Sequence, residues 1–359
     1  MATANNTFYV SAFGGVTDVL LHTAQLASQQ DSQYKISLKE LENRHLRMVK
    51  ELIPINAQST VLSKVKSELN TLETLLEGAF LIGETTPQLS DKIVSYGELL
   101  SSYIICEYFK HQELDATLAN SRELIRTNDV NGKAAVNFET TFTNCKKFSV
   151  DTQCKIIVAP GFIASSKNGN PTTLGRGGSD YTAAIFAAAI DAEVLEIWTD
   201  VSGMYTANPK LVKQAKAIPH ISYEEAMELS HFGAKVLYPP TIQPVLSRGI
   251  SIVIKNTFRP QDVGTLITKN KSAQDKTVRG ISHVENIGLL SLEGPGMVGI
   301  PGISKRFFEV LSEAEISVIL ITQASSEHSM SVGIHEDDKD VAIEAVRSEF
   351  EMEIGMNLV

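Results

Sequence analysis

Residues 172–200 read TTLGRGGSDYTAAIFAAAIDAEVLEIWTD, and this stretch decides the fold. Gly175, Gly177 and Gly178 allow positive φ and close backbone approach to a ligand. Ser179 and Asp180 are expected to cap a helix. Residues 181–190 are alanine-rich and free of breakers, which predicts that helix. Residues 193–198 then predict a strand ending at Thr199 and Asp200. A loop of unpaired N–H groups feeding a helix N-terminus suits an anion, and Arg176 adds a planar donor fork for carboxylate or phosphate. A glycine loop alone is a weak signal, since most simply turn the chain. Here the G-K-[ST] of a Walker A loop is absent. The glycine spacing of a dinucleotide fingerprint is also wrong, and no strand leads directly into the loop.

Composition sets the frame. A chain of 359 residues has a prior of two domains, and 43% hydrophobic residues with ordinary glycine and proline counts indicate a soluble globular protein. No apolar run is long enough to span a membrane. Met1 is followed by polar ATANNT, which is no signal peptide. Cys106, Cys145 and Cys154 lack metal or redox spacing, so a reducing cytoplasm is expected. A net charge of −10 argues against a nucleic-acid partner.

Along the chain, residues 8–12 predict a strand, Gly14-Gly15 a turn and residues 16–27 an amphipathic helix. Residues 38–77 predict a helix pair, with Leu62, Val65, Leu69, Leu72 and Leu75 three or four apart and a loop over 53–58. Residues 93–105 predict one helix carrying Glu98. Residues 155–161 form a buried strand, and 162–173 a hairpin around KNGNPTT. Residues 223–237 predict a helix with Lys235 near its end, and 250–256 a strand. Polar residues 269–280 read as a linker between units at 1–268 and 281–359. In the second unit the strands are 287–292, 316–322, 329–334 and 351–354, with helices at 303–313 and 337–350. That order, βαββαβ, is ferredoxin-like.

Several strings carry a resemblance. TTLGRGGSDYTAA with EIWTDVSGMYTANP, VSAFGGVTDVLL, SYGELLS and FGAKVLYPPTI resemble blocks of the aspartokinase branch of the amino-acid kinase family. LEGPGMVGIPGISKRFFEVL followed by ISVILITQASSEHSMSVGI resembles an ACT regulatory domain, most closely that of the bifunctional aspartokinase–homoserine dehydrogenases. The resemblance implies a three-layer α/β kinase sandwich with a mostly parallel central sheet, followed by the ACT unit. It assigns Ser11, Ala12, Thr17, Glu98, Arg176 and Ser179 to the amino acid, with Glu98 on its ammonium group. Thr199, Asp200, Tyr205, Lys210 and Lys235 fall to the nucleotide, and Asp180, Arg176 and Lys235 to catalysis. No resident metal site is expected; Mg²⁺ comes with ATP.

The implied reaction is ATP-dependent phosphorylation of the L-aspartate side-chain carboxylate, opening lysine, threonine and methionine biosynthesis. Threonine or lysine is the expected feedback ligand at the ACT unit, and self-association the expected assembly. Three departures stand beside this. The family's opening K-F-G-G-T-S block has no counterpart, Ala12 standing where its lysine would be. Lys210 replaces the arginine of the family's D-P-R, losing a bidentate fork. Ser202 replaces the more usual aspartate. The first strand of the kinase, a second ACT repeat and any dehydrogenase are expected to be missing. The alternative readings are a non-catalytic amino-acid-binding regulatory chain and a sibling kinase acting on glutamate or N-acetylglutamate.

Overall fold

The computed structural model describes residues 6–231, 237–270, 278–323 and 328–359. The chain divides into two compact units, Met1–Ser282 and His283–Val359. In the first, β1 (Asn6–Val10) leads through a glycine turn into α1 (Val16–Ser28), α2 (Tyr34–Leu52), α3 (Ile55–Ile82), α4 (Pro87–Val94) and α5 (Tyr96–His111). Then come β2 (Ala116–Leu118), α6 (Ser121–Leu124), β3 (Arg126–Thr127), α7 (Phe138–Asp151), β4 (Ile156–Pro160), β5 (Ile163–Ser166) and β6 (Pro171–Thr173). The unit continues with α8 (Gly178–Ala189), β7 (Val194–Thr199), β8 (His220–Ser222), α9 (Tyr223–His231), α10 (Pro239–Leu246), β9 (Ser251–Asn256) and β10 (Thr265–Thr268).

Strand pairing places the ends that matter. β4 lies between β1 and β2 and runs parallel to both, so the carboxyl ends of β1 and β4 meet at Val10 and Pro160. β7 pairs parallel with β9 in the sheet β7-β9-β10-β8, which ends at Thr199 opposite Asn256. β5 and β6 form the expected hairpin, with β3 on its other side. Helix α8 packs against both β1 and β7. Its buried residues are Gly178, Thr182, Ile185, Phe186 and the alanines Ala184, Ala187, Ala188 and Ala189, and the small ones let the helix lie close to neighbouring strands.

The helices follow their sequence signals, with local corrections. Thr86 caps α4, its hydroxyl accepting from Leu89 N–H at 3.2 Å, with Pro87 in the first turn. The expected loop over 53–58 shrinks to two residues, because Pro54 sits at the cap of α3 and the helix starts at Ile55. The single helix expected over 93–105 is two, α4 and α5, joined at Ser95. Val61, Val65, Leu69, Leu72 and Leu76 form the buried stripe of α3 and pack with α1, α2 and α5 in one apolar cluster. Of the helix expected over 223–237, residues 223–231 are helical and 232–236 lie outside the described residues. The polar segment at 269–280 ends against the first unit: Ile281 N–H donates to Thr206 C=O at 2.9 Å and Arg279 lies 3.6 Å from Glu225.

The second unit contains β11 (Ile287–Glu293), α11 (Ile303–Glu313), β12 (Leu320–Gln323), β13 (Ser329–His335), α12 (Lys339–Glu349) and α13 (Glu351–Gly355). Its antiparallel sheet has the order β11-β13-β12 and covers Phe307, Leu311, Val346 and Phe350. The strand expected over 351–354 is helical instead. Arg306 of α11 holds Glu349 at 2.6 Å and also pairs with Glu353, and acids four apart come close enough for one guanidinium on a helix but not on an extended strand.

Leu72 is fully buried between the long helices. Its replacement by alanine is expected to lower unfolding stability by about 2–5 kcal/mol in urea titrations. A loss below about 1 kcal/mol would contradict this packing.

Candidate active site

The amino-acid end of the site is built where α5 meets the carboxyl end of β1. Gly97 makes this possible: a Cβ there would lie 2.7 Å from the Ala12 Cβ. The helix therefore rests directly on the turn after β1. Ser101 Oγ donates to Ser11 C=O at 2.8 Å, and Ala12 N–H donates to Glu98 Oε1 at 3.2 Å. Glu98 is buried, and its Oε2 has no hydrogen-bond partner. Burial pushes the carboxyl up to about 7, against the pull of the Ala12 N–H. A buried, half-satisfied carboxylate is expensive unless a donor or cation completes it. Sequence reasoning placed Ser11, Ala12 and Glu98 here, and the structure brings them together. Thr17 lies in the first turn of α1 and is half-buried.

The glycine loop approaches from β6. Gly175 and Gly177 both have positive φ, at 73° and 69°. Ser179 and Asp180 do not cap the helix as expected. Gly177 takes the left-handed cap position without a side-chain hydrogen bond, so both residues fall inside the first turn of α8. Asp180 is half-buried, and desolvation raises its carboxyl to about 6. Arg176 is exposed at the loop tip and makes no ion pair among the described residues. Ser179 is pinned by the turn after β4: a Cβ on Gly161 would come within 2.6 Å of the Ser179 Cβ. Gly161 N–H donates to Val10 C=O at 3.0 Å, which ties that turn to the end of β1. Phe162 follows in a left-handed conformation (φ 63°), its N–H donating to Thr182 Oγ1 at 3.1 Å. Its side chain packs against the same apolar cluster of α1–α5 as Ala12 and Phe13 do. One turn thus joins the Glu98 side to the Arg176 side.

The nucleotide candidates sit at the carboxyl end of β7. Thr199 Oγ1 donates to Asp200 Oδ1 at 3.2 Å, leaving Asp200 exposed. The loop beyond is buttressed by Asn256, whose side chain donates to Ser202 Oγ at 2.9 Å and to Asp200 C=O at 3.4 Å. Ser202 Oγ in turn donates to Asp262 at 2.6 Å. The serine that replaces an aspartate therefore serves the loop's own scaffold. Tyr205 is half-buried in a bridge with Ala217, and Lys210 is exposed. Lys235 lies outside the described residues. Tyr238, just after that gap, packs on the glycine loop, where a Cβ on Gly177 would lie 2.4 Å from its own Cβ. No group of three or more His, Cys, Asp or Glu side chains able to hold a metal occurs among the described residues.

Gly161, Phe162, Tyr238 and Asp91 were missed as site builders. Gly161 and Phe162 carried only a turn signal. Asp91 had a better one, an acid among the apolar positions of a helix.

These features match known proteins. The sequence profile of the amino acid kinase family matches residues 8–256. The chain belongs to the amino acid kinase family. An ACT domain profile matches residues 290–350. The bifunctional aspartokinase/homoserine dehydrogenase 1 of the Arabidopsis thaliana chloroplast is 35% identical over 347 residues, 95% of this chain and 38% of that protein. This chain thus spans well under half the length of that relative. Two crystal structures of Escherichia coli aspartokinase III, each 31% identical, match closely. The complex with aspartate and ADP (R-state) has a TM-score of 0.80 over 92% of this chain and 72% of that one. The complex with lysine and aspartate (T-state) has a TM-score of 0.76 over 91% and 72%. The fold is thus that of an aspartokinase with an ACT domain.

Two predictions follow from the geometry. Glu98 has its pKa raised by folding, so its charged form costs stability that is absent below about pH 4.5 and complete above about pH 7. Glu98→Gln is expected to gain on the order of 3 kcal/mol relative to the parent between pH 5 and pH 8, read by urea unfolding. An unchanged difference across that range would contradict a desolvated carboxyl. Gly177→Ala must accept left-handed strain and a clash with Tyr238, whereas Gly169→Ala, at φ 82° with nothing within 4 Å, accepts strain alone. Gly177→Ala is therefore expected to melt lower than Gly169→Ala; equal melting would contradict the close approach.

Proposed function

We propose that this chain is an aspartate kinase, transferring the γ-phosphoryl group of ATP to the side-chain carboxylate of L-aspartate and forming 4-phospho-L-aspartate. The observation that carries the reading is Glu98, a buried carboxylate with one unsatisfied oxygen, held on the turn after β1. A free amino acid supplies what this arrangement lacks. Its ammonium completes Glu98, and its α-carboxylate takes the Arg176 fork and the loop N–H groups. Ser11, Ala12, Thr17 and Ser179 line the same end.

The reaction needs positioning and charge neutralisation rather than a strong base, because the aspartate side chain is already ionised near neutral pH. Asp180, in the first turn of α8, orients the cations around the transferring group. Thr199, Asp200, Tyr205 and Lys210 take the nucleotide, with Lys235 toward the phosphates. Mg²⁺ enters as part of the ATP substrate. The product feeds lysine, threonine and methionine biosynthesis.

Residues 281–359 act as the sensor in this reading. A cleft of about 310 Å³ between Gly299, Ile300, Gly302, Ser304 and Gln323 has the size of a small amino acid site, for threonine or lysine. The edge strand β12 leaves Leu320 and Ile321 exposed, which favours self-association. No helix among the described residues is long and apolar enough to cross a membrane. Free Cys106, Cys145 and Cys154 favour a reducing compartment.

ADP release from ATP, Mg²⁺ and L-aspartate tests the reading, with L-glutamate as control and threonine and lysine as titrants. Aspartate-dependent turnover, little with glutamate, and inhibition by threonine or lysine are expected. Arg176→Ala is expected to raise the aspartate KM by about tenfold or more, as for a lost charged hydrogen-bond pair. Aspartate binding without turnover would favour a regulatory chain, and preference for glutamate a sibling kinase.

A further inference from the structure

We propose that Asp91 is a positioning residue for the amino-acid site, setting the separation between Glu98 and Arg176; this deepens the aspartate kinase reading and rests on it. Asp91 lies on α4 and is only 3% exposed. No lysine or arginine pairs with it among the described residues. Donors from two distant segments converge on it instead. Asn131 Nδ2 donates to Oδ2 at 2.8 Å, and Gly132 N–H is shared between both oxygens at 3.0 and 3.1 Å. Thr173 N–H donates to Oδ2 at 3.2 Å and Thr173 Oγ1 to Oδ1 at 2.7 Å.

Each partner leads to the site. Thr173 stands three residues before Arg176, and the following Leu174 N–H is fixed on Phe162 C=O at 3.0 Å. The 131–134 turn supports the same strand, Ala134 N–H donating to Thr173 C=O at 3.0 Å. Gly132 C=O lies 3.2 Å from where a Gly175 Cβ would be, so this turn forms the floor of the glycine loop. On its other side, Asp91 C=O accepts from Ser95 N–H at 3.2 Å, at the joint where α5 begins, three residues before Glu98. One buried carboxylate therefore holds α4, the helix that leads through Ser95 into α5 and Glu98, against the strand that delivers the carboxylate donor. A ligand gripped at both ends, with its reacting carboxylate beyond, is sensitive to that separation.

The test pairs kinetics with hydrogen exchange on the full chain. Asp91→Asn turns an acceptor oxygen into an amide donor facing N–H groups, and Thr173→Val removes one donor while leaving the carboxylate. Asp91→Asn is expected to raise the aspartate KM at least tenfold with the ATP KM within about twofold. Thr173→Val should shift it in the same direction by less. Without ligand, the amides of Gly132 and residues 173–178 are expected to exchange at least tenfold faster in Asp91→Asn, with β9 unchanged. Equal loss of kcat with both KM values preserved, or unchanged exchange at 173–178, would overturn the proposal. If the parent chain neither binds nor turns over aspartate, the kinase reading fails first. The exchange result then decides alone whether Asp91 holds the loop: faster exchange at 173–178 supports that role, and unchanged exchange ends it.

Discussion

The amino-acid end of this fold depends on the close approach of α5 to the end of β1, which only a glycine at position 97 allows. With no side chain between them, the helix backbone lies against Ala12, and two hydrogen bonds close the joint: Ser101 to Ser11 and Ala12 to Glu98. Glu98 is thereby drawn out of water with one oxygen unanswered. Leaving a buried carboxyl half-satisfied lowers stability, and such a group is a candidate to be completed by a ligand. The same packing explains why the carboxyl titrates near neutrality.

The glycine loop is rigid for a different reason. Its left-handed Gly175 and Gly177 are closely packed, with Gly132 under Gly175 and Tyr238 over Gly177, and Phe162 packs over the helical Gly178. Helix α8 packs against β1 and β7, and a helix N-terminus that follows a glycine loop suits an anion. On the other side of α8, β7 carries Thr199 and Asp200 to its own carboxyl end, where open α/β sheets gather ligands. The residues proposed for the ammonium, the carboxylate and the nucleotide thus come from strand ends and loops that flank one helix.

Much of this was legible in the sequence because the signals were local. Glycine spacing, an alanine-rich helix and alternating strands located the β6–α8–β7 segment within a few residues, whereas Glu98 was singled out by the resemblance of SYGELLS to a family block and not by a burial signal. Boundaries failed where one residue outweighed a pattern: Pro54 started α3 early, and Gly177 displaced Ser179 and Asp180 from the cap. The last strand of the ACT unit failed because Glu349 and Glu353 both answer to Arg306, a partner more than forty residues away. Asp91 stood out locally as an acid within a helix, but its partners, like those of the Asn256–Ser202–Asp262 chain, were illegible, since nothing in local composition names a distant partner.

The most direct test is the number of protons released when L-aspartate binds, measured by calorimetry in buffers of different ionisation enthalpy. A Glu98 carboxyl near 7 must ionise to accept an ammonium group. At pH 6 the parent is therefore predicted to release about 1 proton more on binding than Glu98→Gln does, with almost no difference above pH 8. Equal release from the parent and Glu98→Gln at pH 6 would contradict the account.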